Sequence, residues 1–261
     1  MAGISDISNT PPASALVKKL NGFLPLTDGE KAMLGELAGN PRAFPEGDDL
    51  IATGARYSDV YLLESGWAIR HKLTVDGDRV ITNFVLPGDF MCFDAPIFER
   101  SDHSVTAITD LVAARIPSDA MIQLTSAKPK VGLALAWCAA KEESLIEEHL
   151  LNSAKRSARA RMAHLLIELW RRLEIVKLTE DGDFPLPVTQ HELADSLGLS
   201  LWYVNRVLQG MRRGGLISLS TQSERHVRIL DKSGLMSEAG FDEEFLHFTE
   251  VPARTLRALS Q

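Results

Sequence analysis

Asn205, Arg206 and Gln209 are three side chains whose hydrogen-bonding groups match the edges of nucleic-acid bases. A guanidinium fork takes both acceptors of a guanine in the major groove, and a carboxamide pairs with adenine or holds a phosphate. All three fall in LSLWYVNRVLQGMRR, where Val204, Val207, Leu208 and Met211 keep the spacing of a buried helical stripe. That spacing turns Leu201, Trp202, Asn205, Arg206 and Gln209 outward, onto the face that would enter a groove. Further along, Arg225, His226 and Arg228 suit contacts to a phosphate backbone.

The elements that would hold these residues are readable too. Thr189 and Glu192 have the spacing of a capping box, in which hydroxyl and carboxylate each satisfy an orphan amide at a helix start. Leu193, Ala194 and Leu197 then share one face. Gly198 supplies the left-handed backbone that ends this helix, and Ser200 caps the next. Two helices joined by so tight a turn read as a helix-turn-helix, with a helical hairpin of some other small domain as the competing reading. Thr189, Gln190, Ser200 and Tyr203 complete the candidate DNA-contacting set. After Arg212, Arg213 and Gly214-Gly215, the runs LISLS and VRIL flank the polar TQSERH and predict a β-hairpin wing. Upstream, KRSARARMAHLLIELWRR sets Lys155, Arg156, Arg159, Arg161, Arg171 and Arg172 on one helical segment, either a basic binding surface or a solvated face.

The whole chain is acidic, with a net charge of −7 over 261 residues. Between Asn152 and Lys232, however, it carries about 13 basic and 9 acidic side chains, so positive charge is concentrated where the reader would be. With 45% hydrophobic residues the length suits two domains. There is no apolar run of the ~18 residues needed to span a bilayer. The opening MAGISDISNTPPAS lacks a signal peptide's basic-then-apolar order, so a cytoplasmic protein with no membrane partner is expected. Cys92 and Cys138 are too few for a disulfide framework or a zinc site and are expected to be reduced and buried. No phosphate-cradling Gly-Lys loop, nucleophile elbow or HExxH points to an enzyme.

The N-terminal half has a different rhythm. Gly54, Gly66, Gly77 and Gly88 punctuate β-rich runs, DVYLLES, WAIRHKL, RVITNFVL and SVTAITDLVAARI, with VDGDR a hairpin tip. A helical piece around Leu16–Leu37 precedes them, and a long helix-compatible stretch runs from about Lys130 to Glu174. The expected fold is α+β: an N-terminal jelly-roll-like β-roll (15–128), a connecting and dimerising helix (129–155), a winged helix-turn-helix (156–232) and a C-terminal extension (233–261). In that extension Phe241, Phe245, Leu246 and Phe248 call for burial.

This order of parts, together with LPGDF at Leu86–Phe90 and TQHELADSLGLS…VNRVL, resembles the Crp/Fnr family of bacterial transcriptional regulators over most of the chain, from about Leu24 to Asp231. The resemblance implies a homodimer on a palindromic promoter site and an effector sensed in the β-roll, with RNA polymerase as a further partner if the protein activates. The matching effector-pocket positions are Phe90, Cys92, Phe93, His103, Ser104, Ile146 and Glu147. Where cyclic-AMP-binding members hold a Gly-Glu pair and then an Arg-Ser pair, this chain reads Cys92-Phe93 and His103-Ser104. A phenyl ring cannot accept from a ribose hydroxyl, and a neutral imidazole replaces a guanidinium fork poorly. Cyclic AMP is therefore not expected to bind in the usual way. No cofactor is expected: two cysteines cannot supply four thiolates to an iron–sulfur cluster, and nothing in the spacing marks Cys92 or His103 as a haem ligand. Cys92 and Cys138 remain candidates for a redox switch, against the plainer reading of two buried thiols. Where many members use a Glu to accept from a cytosine amine, Trp202 stands, so a different DNA preference is expected. The alternative is a ligand-binding or protein-interaction module whose reader no longer recognises DNA.

Overall fold

A computed structural model describes residues 14–220 and 225–259. Two compact units emerge. The first combines the N-terminal part to Arg70, Val85–Glu143 and the segment from Leu246 onward; the second combines His71–Phe84 with Ser144–Phe245.

The first unit begins with two helices, α1 (Ser14–Phe23) and α2 (Asp28–Leu37), the latter opened by a Thr27–Glu30 capping box. Along the chain eight strands follow, of which the end of β4 and nearly all of β5 fall in the second unit: β1 (Pro41–Phe44), β2 (Asp49–Ile51), β3 (Asp59–Ser65), β4 (Ala68–Leu73), β5 (Arg79–Val85), β6 (Phe90–Met91), β7 (Ser104–Ala107) and β8 (Leu111–Pro117). They form two four-stranded sheets, ordered β1-β8-β3-β6 and β2-β7-β4-β5, in a jelly-roll-like arrangement. β3 and β8 are antiparallel, with Val60 opposite Ile116 and Leu62 opposite Ala114, and all four are buried in the core. The run 104–116, expected to be continuous, is interrupted between β7 and β8. There Thr109 Oγ1 accepts from the Trp67 amide (2.9 Å) and Asp110 Oδ1 from the Glu46 amide (3.0 Å), so side chains replace the ladder. The VDGDR tip turns as expected, with Gly77 at φ 90° and the Thr74 amide donating to the Asp78 carbonyl.

Two helices follow, α3 (Ser118–Ala127) and the 27-residue α4 (Pro129–Lys155). The stretch to Glu174 is not one helix. Ser157 is extended, its hydroxyl accepts from the Ala160 amide (3.2 Å), and α5 (Ala158–Ile175) starts afresh.

α5 is the centre of the second unit and buries Met162, Leu165, Leu166, Leu169 and Leu173. Around it come β9 (Asp183–Pro185), α6 (Gln190–Leu197), α7 (Leu201–Arg213), β10 (Ile217–Ser220), β11 (His226–Ile229) and α8 (Lys232–Ala239). The wing is a three-stranded sheet ordered β10-β11-β9; the tip residues 221–224 lie outside the described residues. After α8 the chain makes a 3-10 turn at Glu243–Leu246, with Phe241 and Phe245 against the His164 ring (centroids 4.8 and 5.4 Å). The remaining segment, ending in α9 (Ala253–Ala258), belongs to the first unit. There the Val251 amide donates to the Phe23 carbonyl (2.8 Å), and the indole of Trp137 donates to the His247 carbonyl (3.2 Å).

Candidate nucleic-acid interface

α6 and α7 are defined by their ends. The Thr189 amide donates to Glu192 Oε2 (2.6 Å) and the Glu192 amide to Thr189 Oγ1 (3.2 Å), completing the capping box. Gly198 takes φ 61°, ψ 42°, and Ser200 Oγ accepts from the Tyr203 amide (3.4 Å). The hydroxyls of Thr189 and Ser200 are thus engaged in caps, while Gln190 is exposed at the start of α6. Arg161 adds an anchor from α5, donating to the Leu197 carbonyl (3.1 Å) at the C-terminus of α6, where helix carbonyls lack partners.

α7 buries Val204, Val207, Leu208 and Met211, the predicted stripe. Opposite, Leu201, Trp202, Tyr203, Arg206 and Gln209 are exposed and Asn205 is half-buried. The Arg206 guanidinium lies over the Trp202 ring, 5.1 Å from its centroid, and the Trp202 and Tyr203 rings meet edge to face. Asn205 Nδ2 donates to the Leu201 carbonyl at 3.4 Å, a long bond that a base edge could replace. In the wing Arg225 and Arg228 are exposed. His226 Nδ1 lies 3.4 Å from Asp183 Oδ2, so β9, which the sequence reading missed, engages one of the three candidate wing residues. Three residues after the Asp181-Gly182 turn, the last of them Pro185, gave no period to detect.

The upstream arginines are neither a free basic surface nor a solvated face. Arg156 pairs with Glu148 (2.6 Å), Arg159 with Glu238 (2.8 Å), and Arg171 with Glu174 and with Glu243 (2.7 Å). Arg172 is buried, donating to Asn83, Glu168 and the Phe84 carbonyl at 2.7–3.0 Å. Burial pushes the Glu168 carboxyl up, but the charge and hydrogen bond of His149 (2.7 Å), with Arg172 beside it, bring it down to about 2. Of the run's lysine and arginine residues only Lys155 is exposed; the arginines are buried or half-buried.

In the first unit Cys92 Sγ lies 3.7 Å from His103 Nε2, and Asp102 Oδ1 is 2.8 Å from His103 Nδ1. Cys92 is buried, with φ at 52°, and burial pushes its thiol up to about 12. The Phe90 and Phe93 rings meet at a tilt of 56°, with centroids 5.3 Å apart. Ser104 instead meets Thr53, accepting from its amide at 3.0 Å. Arg70, which sequence reasoning passed over, brings a guanidinium to this interior and pairs with Glu142 (2.6 Å). Lys19 reaches Asp89 of the LPGDF turn, whose other oxygen accepts from the Leu86 amide. Cys138 is buried in the same unit. Ile146 and Glu147 belong to the second unit and are exposed on α4.

Comparison with known proteins bears on both parts. Residues 160–238 match the family model described as a Crp-like helix-turn-helix domain, and residues 41–128 match the cyclic nucleotide-binding domain. The chain is 33% identical over 209 residues to the transcriptional activator protein FnrL of Cereibacter sphaeroides, covering 78% of this chain and 82% of that one. It is 29% identical to the nitrogen fixation regulation protein FixK of Azorhizobium caulinodans, covering 76% and 78%. Among solved structures, FixK2 from Bradyrhizobium japonicum superposes with a TM-score of 0.69 at 23% identity, over 78% of this chain and 98% of that chain, a likeness of fold. Among the described residues no helix is long and apolar enough to cross a membrane.

Proposed function

This chain belongs to the Crp/Fnr family of transcriptional regulators, and from that premise we propose that it acts as a homodimer reading a palindromic DNA site through α7, without binding cyclic AMP in the family's usual way. The observation that carries the reading is the division of α7. Its apolar stripe is buried, while Arg206 and Gln209 are exposed on the face that fits a major groove. Arg206 reads a guanine edge, Asn205 and Gln209 take neighbouring bases or phosphate, and Arg225 and Arg228 of the wing hold the backbone.

Dimerisation is supported by α4, where Ala139, Glu143, Ile146 and Leu150 are exposed at alternating spacings of four and three, the rhythm of a helix seam. Ile146 is 51% and Leu150 69% exposed. Against cyclic AMP stand the Cys92–His103 contact and the Phe90–Phe93 pair at the positions matching the nucleotide pocket, and the engagement of Arg70 by Glu142. Titration of cyclic AMP into the protein is expected to give no saturable heat at micromolar concentrations.

The reading is tested by selecting bound sequences from a random duplex pool at near-physiological salt. A palindrome with half-sites about one helical turn apart is expected. Arg206→Ala should lose about 1–3 kcal/mol of preference at one base pair, whereas Arg225→Ala should weaken all sequences alike. Recovery of no sequence would turn the assignment toward an interaction module.

A further inference from the structure

We infer that Trp202 is a specificity determinant, recognising the 5-methyl group of a thymine next to the guanine taken by Arg206 and holding the Arg206 fork in place. The inference rests on the DNA-reading assignment above and names the base chemistry that assignment leaves open. Trp202 lies in the first turn of α7 and is 61% exposed, with Tyr203 at 48% and Leu201 at 36% beside it. The inner face of α7 is already filled by Val204, Val207, Leu208 and Met211, so the indole contributes little to the core. Three large apolar side chains therefore stand together at the helix end that enters a groove.

What such a group can recognise is restricted by its chemistry. An indole has one donor and no acceptor, so it cannot take the amino hydrogens of cytosine or adenine. The apolar feature on the major-groove edge is the thymine methyl. Position follows from the stack: Arg206 is one helical turn on from Trp202, its guanidinium 5.1 Å from the ring centroid. Stacked base pairs rise by about 3.4 Å, so a ring that flanks the fork meets the adjoining base step. An edge-to-face contact with Tyr203, at 5.2 Å and 89°, also supports the indole. A guanidinium held over a ring has fewer rotamers to lose on binding, and its fork is correspondingly pre-oriented.

The full-length protein and the duplex recovered by selection provide the test. Each thymine of a half-site is replaced in turn by deoxyuridine, which removes only the methyl. Losing one buried methyl is worth ~0.8 kcal/mol, so one position beside the Arg206-dependent guanine should weaken wild-type binding about fourfold. Trp202→Ala should be indifferent to that replacement and should discriminate less at the guanine itself, while Trp202→Phe should keep both properties. Unchanged thermal melting is expected for either variant, because the side chain is largely outside the core. Absence of any uracil-sensitive position, or the same sensitivity in Trp202→Ala, would overturn the inference while leaving DNA reading intact. Failure of the wild-type protein to select any sequence would overturn both.

Discussion

Arg172 and Arg206 carry the same guanidinium into opposite surroundings. The first is 4% exposed and bonded to Asn83, Glu168 and a carbonyl; the second stands in solvent over an indole. Removing a partner from the buried set leaves a charge without compensation, which costs several kcal/mol, and Glu168→Ala is expected to abolish cooperative unfolding or lower its midpoint sharply. His164 belongs to the same interior. Asn152 Nδ2 donates to its Nδ1 (3.0 Å), its Nε2 lies 3.1 Å from Glu148, and burial lowers its pKa to about 4. The unfolded histidine takes its proton near 6.5 and the folded one only near 4, so stability should fall as pH drops between those values, by about 3 kcal/mol at most. Glu168, at about 2, adds acid sensitivity only below its unfolded value of 4.5. For His149 burial works downward, but Glu168 raises its pKa overall, so its contribution is present below pH 6.5 and is lost as pH rises through its folded value. Urea midpoints at pH 7 and 4.5 check this: His164→Gln should show a smaller drop than the wild type.

At the scale of elements, α6 and α7 depend on their caps more than on length, since α6 has only eight residues. A helix that short is marginal unless its ends are satisfied and its apolar face is covered. Thr189→Ala removes the hydroxyl that accepts from the Glu192 amide and donates to the Glu192 carboxylate, leaving only the backbone amide of position 189 to bond Glu192, an expected loss of about 1 kcal/mol in thermal or urea unfolding. Gly198→Val forces a β-branched residue to φ 61° and should cost more than the cap, again read by unfolding. These signals are local in sequence, which is why Thr189, Glu192, Gly198 and Ser200 could be read without coordinates. Strands β6, of two residues, and β9, of three, could not. Their pairing with Tyr61-Leu62 and with His226–Arg228 is made across distant sequence, and no period exists in so short a run. The helix-compatible stretch to Glu174 carries its break at Ser157, a residue suited to an N-cap, whose hydroxyl accepts from the Ala160 amide where α5 begins.

For the molecule as a whole, the proposed dimer has a direct check. Ile146→Glu with Leu150→Glu replaces two exposed apolar groups, each worth about 1.5–3 kcal/mol when buried in a partner, and sedimentation at micromolar concentration should then report a monomer. Weak binding to a palindrome should follow, with half-site contacts retained. The amino-acid order alone determined the jelly-roll-like sheets, the long helix and the helix-turn-helix, because glycine turns, capping residues and apolar periods act over a few neighbouring residues. It also singled out Arg206 and Trp202, since a helical stripe defines its opposite face. Tertiary structure alone decided which cations remain available. Arg156, Arg159, Arg161, Arg171 and Arg172 read as one basic run, yet their partners come from Glu148, Glu238, Leu197, Glu243 and Asn83. The Arg159–Glu238 and Arg171–Glu243 contacts, at 2.8 and 2.7 Å, require specific approaches of segments far apart in the chain, and sequence spacing contains no record of which carboxylate folding brings within reach.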